Sequence, residues 1–165
     1  MGNEKLVRCP GCGVSIPSMK MPSDSRFNAS GECWALYMEL SAYTLGLADP
    51  SFPHQYVVDA FAGQHAGPSV KPINTLFALI GLYLAAEKGF TGRQVQRVHM
   101  LLAQRHRVWP RLTPPPVPGA ICVRDVLQFE EAGERMTAIK NWDKSVWASW
   151  SAERQRIVDI VKEVP

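Results

Sequence analysis

The clearest chemical signal is a pair of cysteines near the N-terminus, in the segment Cys9-Pro10-Gly11-Cys12-Gly13. Two thiolates at this spacing can bind one tetrahedral metal ion, and the small residues around them let backbone amides turn toward the sulfur atoms. Such a pair supplies half of a zinc site. A redox-active dithiol is the alternative, but that chemistry is usually found beside a β-α-β pattern, which this sequence lacks.

The other half of the site must come from the remaining cysteines and histidines, which are Cys33, Cys122, His54, His65, His99 and His106. Within one helix, His54 and His65 would lie about 16 Å apart, and His99 and His106 about 10 Å apart, so neither pair can chelate one ion. If helices over 33–47 and 52–65 form an antiparallel hairpin, Cys33 lies level with His65. We therefore predict a Zn²⁺ site of Cys9, Cys12, Cys33 and His65, a structural site with no open position.

The spacing leaves alternatives open for the other residues. A second antiparallel helix pair would bring His106 back toward the same end of the bundle, so His106 is the reserve fourth ligand, and otherwise a surface histidine. His54 is the other histidine that would replace His65 if the hairpin register differed. Cys122 is more typical of a small buried residue than of a ligand. His99 lies among apolar residues, which is typical of a histidine in or beside the core.

The elements that position these residues are predicted to be helices. Apolar residues at three-and-four spacing indicate helices that begin near Ser30, Phe52, Pro72 and Thr91, then a short helix over 123–129 and a long one over 134–163. Residues 1–30 are rich in Pro, Gly, Ser and Cys and lack that period. The expected fold is all-α: a single-domain helical bundle of about five to six helices with an irregular N-terminal zinc-binding segment.

The length of 165 residues predicts one domain spanning 1–165. Within it, the irregular zinc-binding segment covers 1–30 and a four-helix core covers 31–109. A Pro-rich connector covers 110–118, and the C-terminal helices cover 119–165.

Composition restricts the setting and the partners. The net charge of +3 is too small to favour a nucleic-acid partner. The basic residues in and after the fourth predicted helix are more typical of a solvated face than of a binding surface; they are Arg93, Arg97, Arg105, Arg107 and Arg111. No apolar run approaches the roughly eighteen residues of a membrane span, and the N-terminus lacks a secretory signal. We therefore expect a cytoplasmic protein without membrane contact, whose cysteines stay reduced.

Several segments together resemble an uncharacterised bacterial family of small helical proteins, a domain of unknown function. The segments are the N-terminal Cys-Pro-x-Cys-Gly, Glu32-Cys33-Trp34, the stretch 54–67 with an H-x4-D-x4-QH signature, and 145–150. The resemblance spans nearly the whole chain and singles out Cys9, Cys12, Cys33, His54, Asp59, Gln64 and His65. Phe61 stands where the family pattern has Tyr, and Ala66 where it has Pro, and neither change removes a ligand. The resemblance implies no particular activity.

Two functions are compatible with the sequence. The first is a non-enzymatic, zinc-stabilised module that binds a partner, such as a protein, through a helical face, because a closed four-ligand site performs no chemistry. The second is an enzyme with a site around His54, Asp59 and His99. There Asp59 would orient an imidazole that acts as general base, or His and Asp would join a second, open metal site. A deep polar pocket holding His54 and Asp59 would favour the enzyme.

Overall fold

The computed structural model describes residues 2–106 and 108–165 of the chain. The described chain is mainly helical, with one small antiparallel sheet near the N-terminus formed by β1 (Leu6–Arg8) and β2 (Ser15–Pro17). Seven α-helices follow in the described residues: α1 (Gly31–Gly46), α2 (His54–Gln64), α3 (Pro72–Lys88), α4 (Gly92–Arg105), α5 (Val123–Leu127), α6 (Ala132–Ser149) and α7 (Arg154–Val161). A short 3-10 helix, Ser151–Glu153, separates α6 from α7.

Local signals in the sequence set several helix boundaries. The side chain of Ser30 accepts a hydrogen bond from the backbone N–H of Cys33 at the start of α1, and Thr91 forms a capping box at the start of α4. Pro72 occupies the first turn of α3, and Gly89 ends this helix in the left-handed conformation, with φ of 68°. The predicted limits of α3 and the predicted starts of α1 and α4 are confirmed. These limits could be predicted from the sequence because each depends on contacts within about one turn.

The prediction of one long C-terminal helix over 134–163 is wrong. The helix is interrupted at Trp150, whose indole Nε1 donates to the carbonyl oxygen of Gly63 at 2.9 Å. Trp150 is only 1% exposed, so this contact belongs to the core. The apolar spacing continues across the interruption and therefore conceals it. The described chain accordingly has seven α-helices rather than five to six.

The fourth helix is shorter than predicted. The sequence pattern indicates a helix that continues to Val108, but α4 ends at Arg105 and His106 is extended, with φ of −115° and ψ of 142°. Arg107, one of the basic residues considered above, lies outside the described residues. The segment expected to be irregular contains the β1–β2 hairpin, and the cysteine pair lies on its turn.

The core lies around α3, which packs against α2, α4, α6 and α7. Its residues Leu76, Leu79 and Ile80 are inaccessible to solvent, and burying each such side chain contributes about 1.5–3 kcal/mol. The second helix packs against α1 and α6 as well as α3, so it has buried contacts on more than one face. Throughout the part of the chain described, no helix combines the length and apolar character needed to cross a bilayer.

Candidate metal centre

Three segments that are distant in sequence bring Cys9, Cys12, Cys33 and His65 together. Cys9 and Cys12 lie on the turn between β1 and β2, where the backbone N–H of Cys9 donates to the carbonyl of Val14 at 2.8 Å. Cys33 lies in the first turn of α1, and His65 is the residue at which α2 ends. One ligand atom from each of the four residues lies within 4.8 Å of the others. The antiparallel arrangement that predicted Cys33 level with His65 is therefore present.

Two of the six separations between the ligand atoms match those around tetrahedral zinc. The Sγ atoms of Cys12 and Cys33 lie 3.8 Å apart, and Cys33 Sγ lies 3.5 Å from His65 Nε2. Zinc–sulfur bonds of about 2.3 Å and zinc–nitrogen bonds of about 2.0–2.1 Å at tetrahedral angles require about 3.8 Å and about 3.6 Å. The cysteines are free thiols rather than a disulfide. The four residues could therefore hold a metal ion.

The imidazole of His65 is oriented as a metal ligand by its neighbours. Its Nδ1 lies 2.7 Å from the carbonyl oxygen of Phe61. Because a carbonyl only accepts, Nδ1 carries the proton and Nε2 presents its lone pair toward Cys33. The ring of Phe61 packs on the imidazole at 4.0 Å between centroids, and the backbone N–H of Asn28 donates to the His65 carbonyl at 2.8 Å. His65 is fully buried, so this orientation is fixed by packing.

Electrostatic interactions within the cluster favour the thiolate form of Cys9. Hydrogen bonds from Cys12, and next from Cys33, lower the pKa of Cys9, whereas hydrogen bonding with Cys122 is the largest cause that raises the pKa of Cys12. The same contact with Cys12 lowers the pKa of Cys122 to about 7. Cys122 is thus buried beside the cluster, a proximity that the sequence does not indicate. A bound divalent cation would relieve the repulsion between the thiolates of the cluster.

The other two candidate ligands lie outside the cluster. His106 Nε2 pairs with Glu163 Oε2 at 2.7 Å near the surface, which fits its interpretation as a surface histidine. His54 Nδ1 lies 2.9 Å from Thr44 Oγ1, near the end of α1 opposite Cys33. The structure therefore brings His65, and neither of these histidines, to the three cysteines.

A separate cavity of about 470 Å³ brings together all three candidate catalytic residues, His54, Asp59 and His99. The first two come from α2 and the third from α4. His54 and Asp59 both line this cavity although they are five positions apart on one helix. Its volume falls within the range of about 300–1,000 Å³ that is typical of small-molecule sites.

Burial favours the neutral form of both histidines of this cavity. Desolvation lowers the pKa of His99 to about 4 and also lowers the pKa of His54. His99 Nε2 donates to the carbonyl oxygen of Phe77 at 2.8 Å, and the two rings stack with centroids 4.7 Å apart. At neutral pH, His99 therefore carries its proton on Nε2 and a lone pair on Nδ1.

Asp59 lies at the buried wall of the cavity, with an exposed fraction of 3%. Burial raises its pKa well above the usual value, opposed only in part by the hydrogen bond from Gln55 Nε2 to Oδ1 at 2.9 Å. Its Oδ2 packs so closely against Gly81 of α3 that a Cβ there would overlap it. In the described residues Asp59 hydrogen bonds to Gln55 and to neither histidine. The pairing of Asp59 with an imidazole, which one form of the enzyme hypothesis requires, is therefore absent from the described residues.

The alternative of a second, open metal site is also absent from the described residues. Across 2–106 and 108–165, only the cluster of three cysteines and His65 brings three or more ligand side chains close enough to share an ion. His54, Asp59 and His99 line one cavity without converging on one point.

Gln64, the signature residue before His65, links three parts of the fold. Its Oε1 accepts from Trp142 Nε1 at 3.0 Å, and its Nε2 donates to the carbonyl oxygens of Pro118 at 3.1 Å and Ile121 at 2.6 Å. These bonds join α2 to α6, to the last residue of the Pro-rich connector and to the segment before α5. Sequence reasoning singled out Gln64 only through the family resemblance. The partners of Gln64 and the role of Gln55 were missed, because no local pattern marks them.

The fold and the site together define a mainly helical protein with a buried Cys3His cluster that could hold a metal ion. The chain belongs to the family of unknown function DUF5946, whose family model matches residues 7–151. The expectation of an uncharacterised family is thereby confirmed. No curated protein and no solved structure matches the chain.

Proposed function

We propose that the protein is a zinc-stabilised helical module in which Zn²⁺, bound by Cys9, Cys12, Cys33 and His65, fixes the N-terminal hairpin to α1 and α2. The observation that carries the proposal is the match between the ligand-atom separations of 3.8 and 3.5 Å and tetrahedral zinc geometry. Three thiolates and one imidazole form a donor set typical of structural zinc. Because the protein supplies all four ligands, the ion has a structural role.

The module would act by binding a partner in the cytoplasm, where the cysteines remain reduced. The fourth helix offers a surface for a protein partner: Met100 is 64% exposed and Leu101 37% exposed, and both lie between the exposed side chains of Arg97 and Arg105. Aromatic residues, Met and Arg are enriched at protein interfaces, whereas isolated exposed apolar residues are common elsewhere. The zinc centre would support this surface only indirectly, through α1, α2 and the core.

Metal content tests the proposal directly. The full chain, purified without a metal-affinity tag and analysed by inductively coupled plasma mass spectrometry, should contain zinc in a ratio of about one ion per chain. Cys9→Ser and Cys12→Ser should each lose the ion and lower the melting temperature, because metal binding is coupled to folding of the hairpin. Equal zinc content in the wild type and in both variants would refute the proposal.

A matched pair of histidine variants tests the assignment of the fourth ligand. A structural zinc centre binds with about 10–16 kcal/mol, so an equal share for one of four ligands is roughly 2.5–4 kcal/mol, or about 100- to 1,000-fold in affinity. We expect His65→Ala to lose zinc affinity by this factor in a chelator competition assay. His54→Ala, on the same helix but bonded to Thr44, should bind zinc like the wild type. The reverse result would assign the fourth ligand to His54.

A second candidate function is a small enzyme, favoured by the single cavity that His54, Asp59 and His99 share. Thr44 Oγ1 lies within 3.2 Å of two backbone carbonyls, to which its hydroxyl can donate, so its oxygen is available to accept from His54 Nδ1–H. His54 Nε2 then has the lone pair that a general base requires. Any turnover measured on the wild type should disappear in His54→Gln while zinc is retained. Turnover that survives this substitution would exclude His54 as the base.

A further inference from the structure

Three polar groups on the wall of one cavity, those of His54, Asp59 and His99, offer hydrogen-bond acceptors to a ligand. His99 uses its Nε2–H on the Phe77 carbonyl, and His54 uses its Nδ1–H on Thr44, so each neutral imidazole retains an acceptor nitrogen. Asp59 adds a carboxyl group, and the amide nitrogen of Gln55 is already directed at that carboxyl. A ligand that complements this set must bring N–H or O–H donors.

The buried carboxyl of Asp59 lacks a positive partner within the described residues. The cavity lining includes one arginine, Arg26, whose guanidinium binds Asp24 through Nε at 3.0 Å and Nη2 at 2.7 Å. Arg26 is also largely exposed, with a side-chain exposed fraction of 66%. Its charge is therefore matched at the surface. Burial favours the protonated form of Asp59 in the empty cavity, and a cationic ligand that displaces this proton to solvent would give the carboxylate the positive partner that it lacks.

Aromatic residues form part of the same lining. Phe27, Tyr37 and Phe77 are among the residues of the cavity wall. The negative face of an aromatic ring attracts organic cations, and this attraction is strongest where water is excluded. A ligand that carries a positive charge, hydrogen-bond donors and an apolar part would complement these acceptors, the carboxyl of Asp59 and the aromatic residues.

We propose that this cavity binds a small organic amine as its ammonium cation, which donates to Asp59 and to the imidazoles of His54 and His99 while its apolar part contacts the aromatic rings. The inference deepens the second candidate function by naming its substrate class, and it rests on that function only for the location of the site. It is independent of the zinc centre, which lies at the C-terminal end of α2 and has its own ligands.

A charge series on the zinc-loaded full chain tests the proposal. The probes are benzylamine, which is a cation at neutral pH, neutral benzyl alcohol and anionic benzoate, and their binding is measured by isothermal titration calorimetry. The three probes have similar size, so the comparison isolates charge and donor capacity. We expect benzylamine to bind about tenfold or more tightly than benzyl alcohol, and benzoate to bind most weakly.

Variants locate the effect. Asp59→Asn preserves the shape of the side chain and should abolish the preference for the amine over the alcohol. Glu32→Gln is the matched control, because Glu32 is a second buried carboxyl, in the first turn of α1, that does not line this cavity, and it should keep the preference. If Asp59→Asn does not fold, Ala62→Met is the replacement variant. Ala62 lines the cavity and is only partly buried, so a larger side chain at this position should be tolerated and should exclude benzylamine.

Three results would overturn the proposal: no binding of benzylamine by the wild type, equal or tighter binding of benzyl alcohol or benzoate, or an amine preference that persists in Asp59→Asn or Ala62→Met. None of these results would affect the zinc proposal, which depends on metal content. Amine binding without any turnover would support the binding site and count against the enzyme.

Discussion

Gly11, between the two cysteines of the hairpin turn, permits the close packing of the turn on His65. A Cβ at this position would lie 2.5 Å from the backbone oxygen of Asn28 and 2.5 Å from Cδ2 of His65. Both separations are about 0.9 Å below the 3.4 Å at which ordinary van der Waals contact begins. Gly11→Ala removes no ligand atom, so it tests whether packing alone sets the geometry of the metal centre.

Gly11→Ala requires a displacement of the cysteine turn or of His65 that is large compared with the variation in metal–ligand distance that zinc tolerates. Asn28 cannot move easily, because its backbone N–H is bonded to the carbonyl of His65 at 2.8 Å. Either the cysteine turn or the imidazole must therefore shift by much of 0.9 Å, whereas metal–ligand distances hold within about 0.2 Å. Substitutions that disturb ligand orientation cost about 10- to 100-fold in metal affinity, and we expect the upper end of this range, about 2.7 kcal/mol.

The assay is competition for zinc between the full chain and a chelator of known affinity. Gly46→Ala is the matched control: Gly46 is the last residue of α1, and a Cβ there meets no atom within 4 Å. This control should bind zinc like the wild type and gain up to about 1 kcal/mol of stability from the better helix former. If Gly11→Ala binds zinc within about threefold of the wild type, a difference below 1 kcal/mol, our account of how packing positions His65 is refuted.

Further predictions concern buried polar groups, tested by urea unfolding of the zinc-loaded chain. Because burial raises the pKa of Asp59 in the folded state, the folded protein keeps this proton longer than the unfolded chain. The free energy of unfolding should fall as pH rises above about 4, by up to about 1.4 kcal/mol per pH unit. Asp59→Asn should remove this part of the slope between pH 4 and 7, and an unchanged slope would contradict the prediction. Gln64→Leu leaves the Trp142 indole N–H and two backbone carbonyls unpaired, so the free energy of unfolding should fall by roughly 3 kcal/mol or more. A loss below about 1 kcal/mol would show that water replaces these bonds.

The sequence by itself determines the features that depend on local geometry. Caps at Ser30 and Thr91 and the terminal Gly89 define helix ends, because each acts within about one turn. The rise of about 1.5 Å per residue is constant, so an antiparallel pair of helices was enough to place Cys33 level with His65. The structure brings these two ligand atoms to 3.5 Å.

Tertiary packing decides what the local pattern leaves open. The helix is interrupted at Trp150, which bonds to Gly63, 87 positions earlier, and the apolar spacing on either side gives no sign of the interruption. Likewise, His99 of α4 lines the same cavity as Asp59 of α2. Their meeting depends on how the helices pack against α3, and packing angles follow from the combined shapes of many side chains. No short stretch of sequence encodes such an angle. The clustering of three cysteines with His65 could therefore be predicted from spacing, whereas the cavity could be found only in the folded chain.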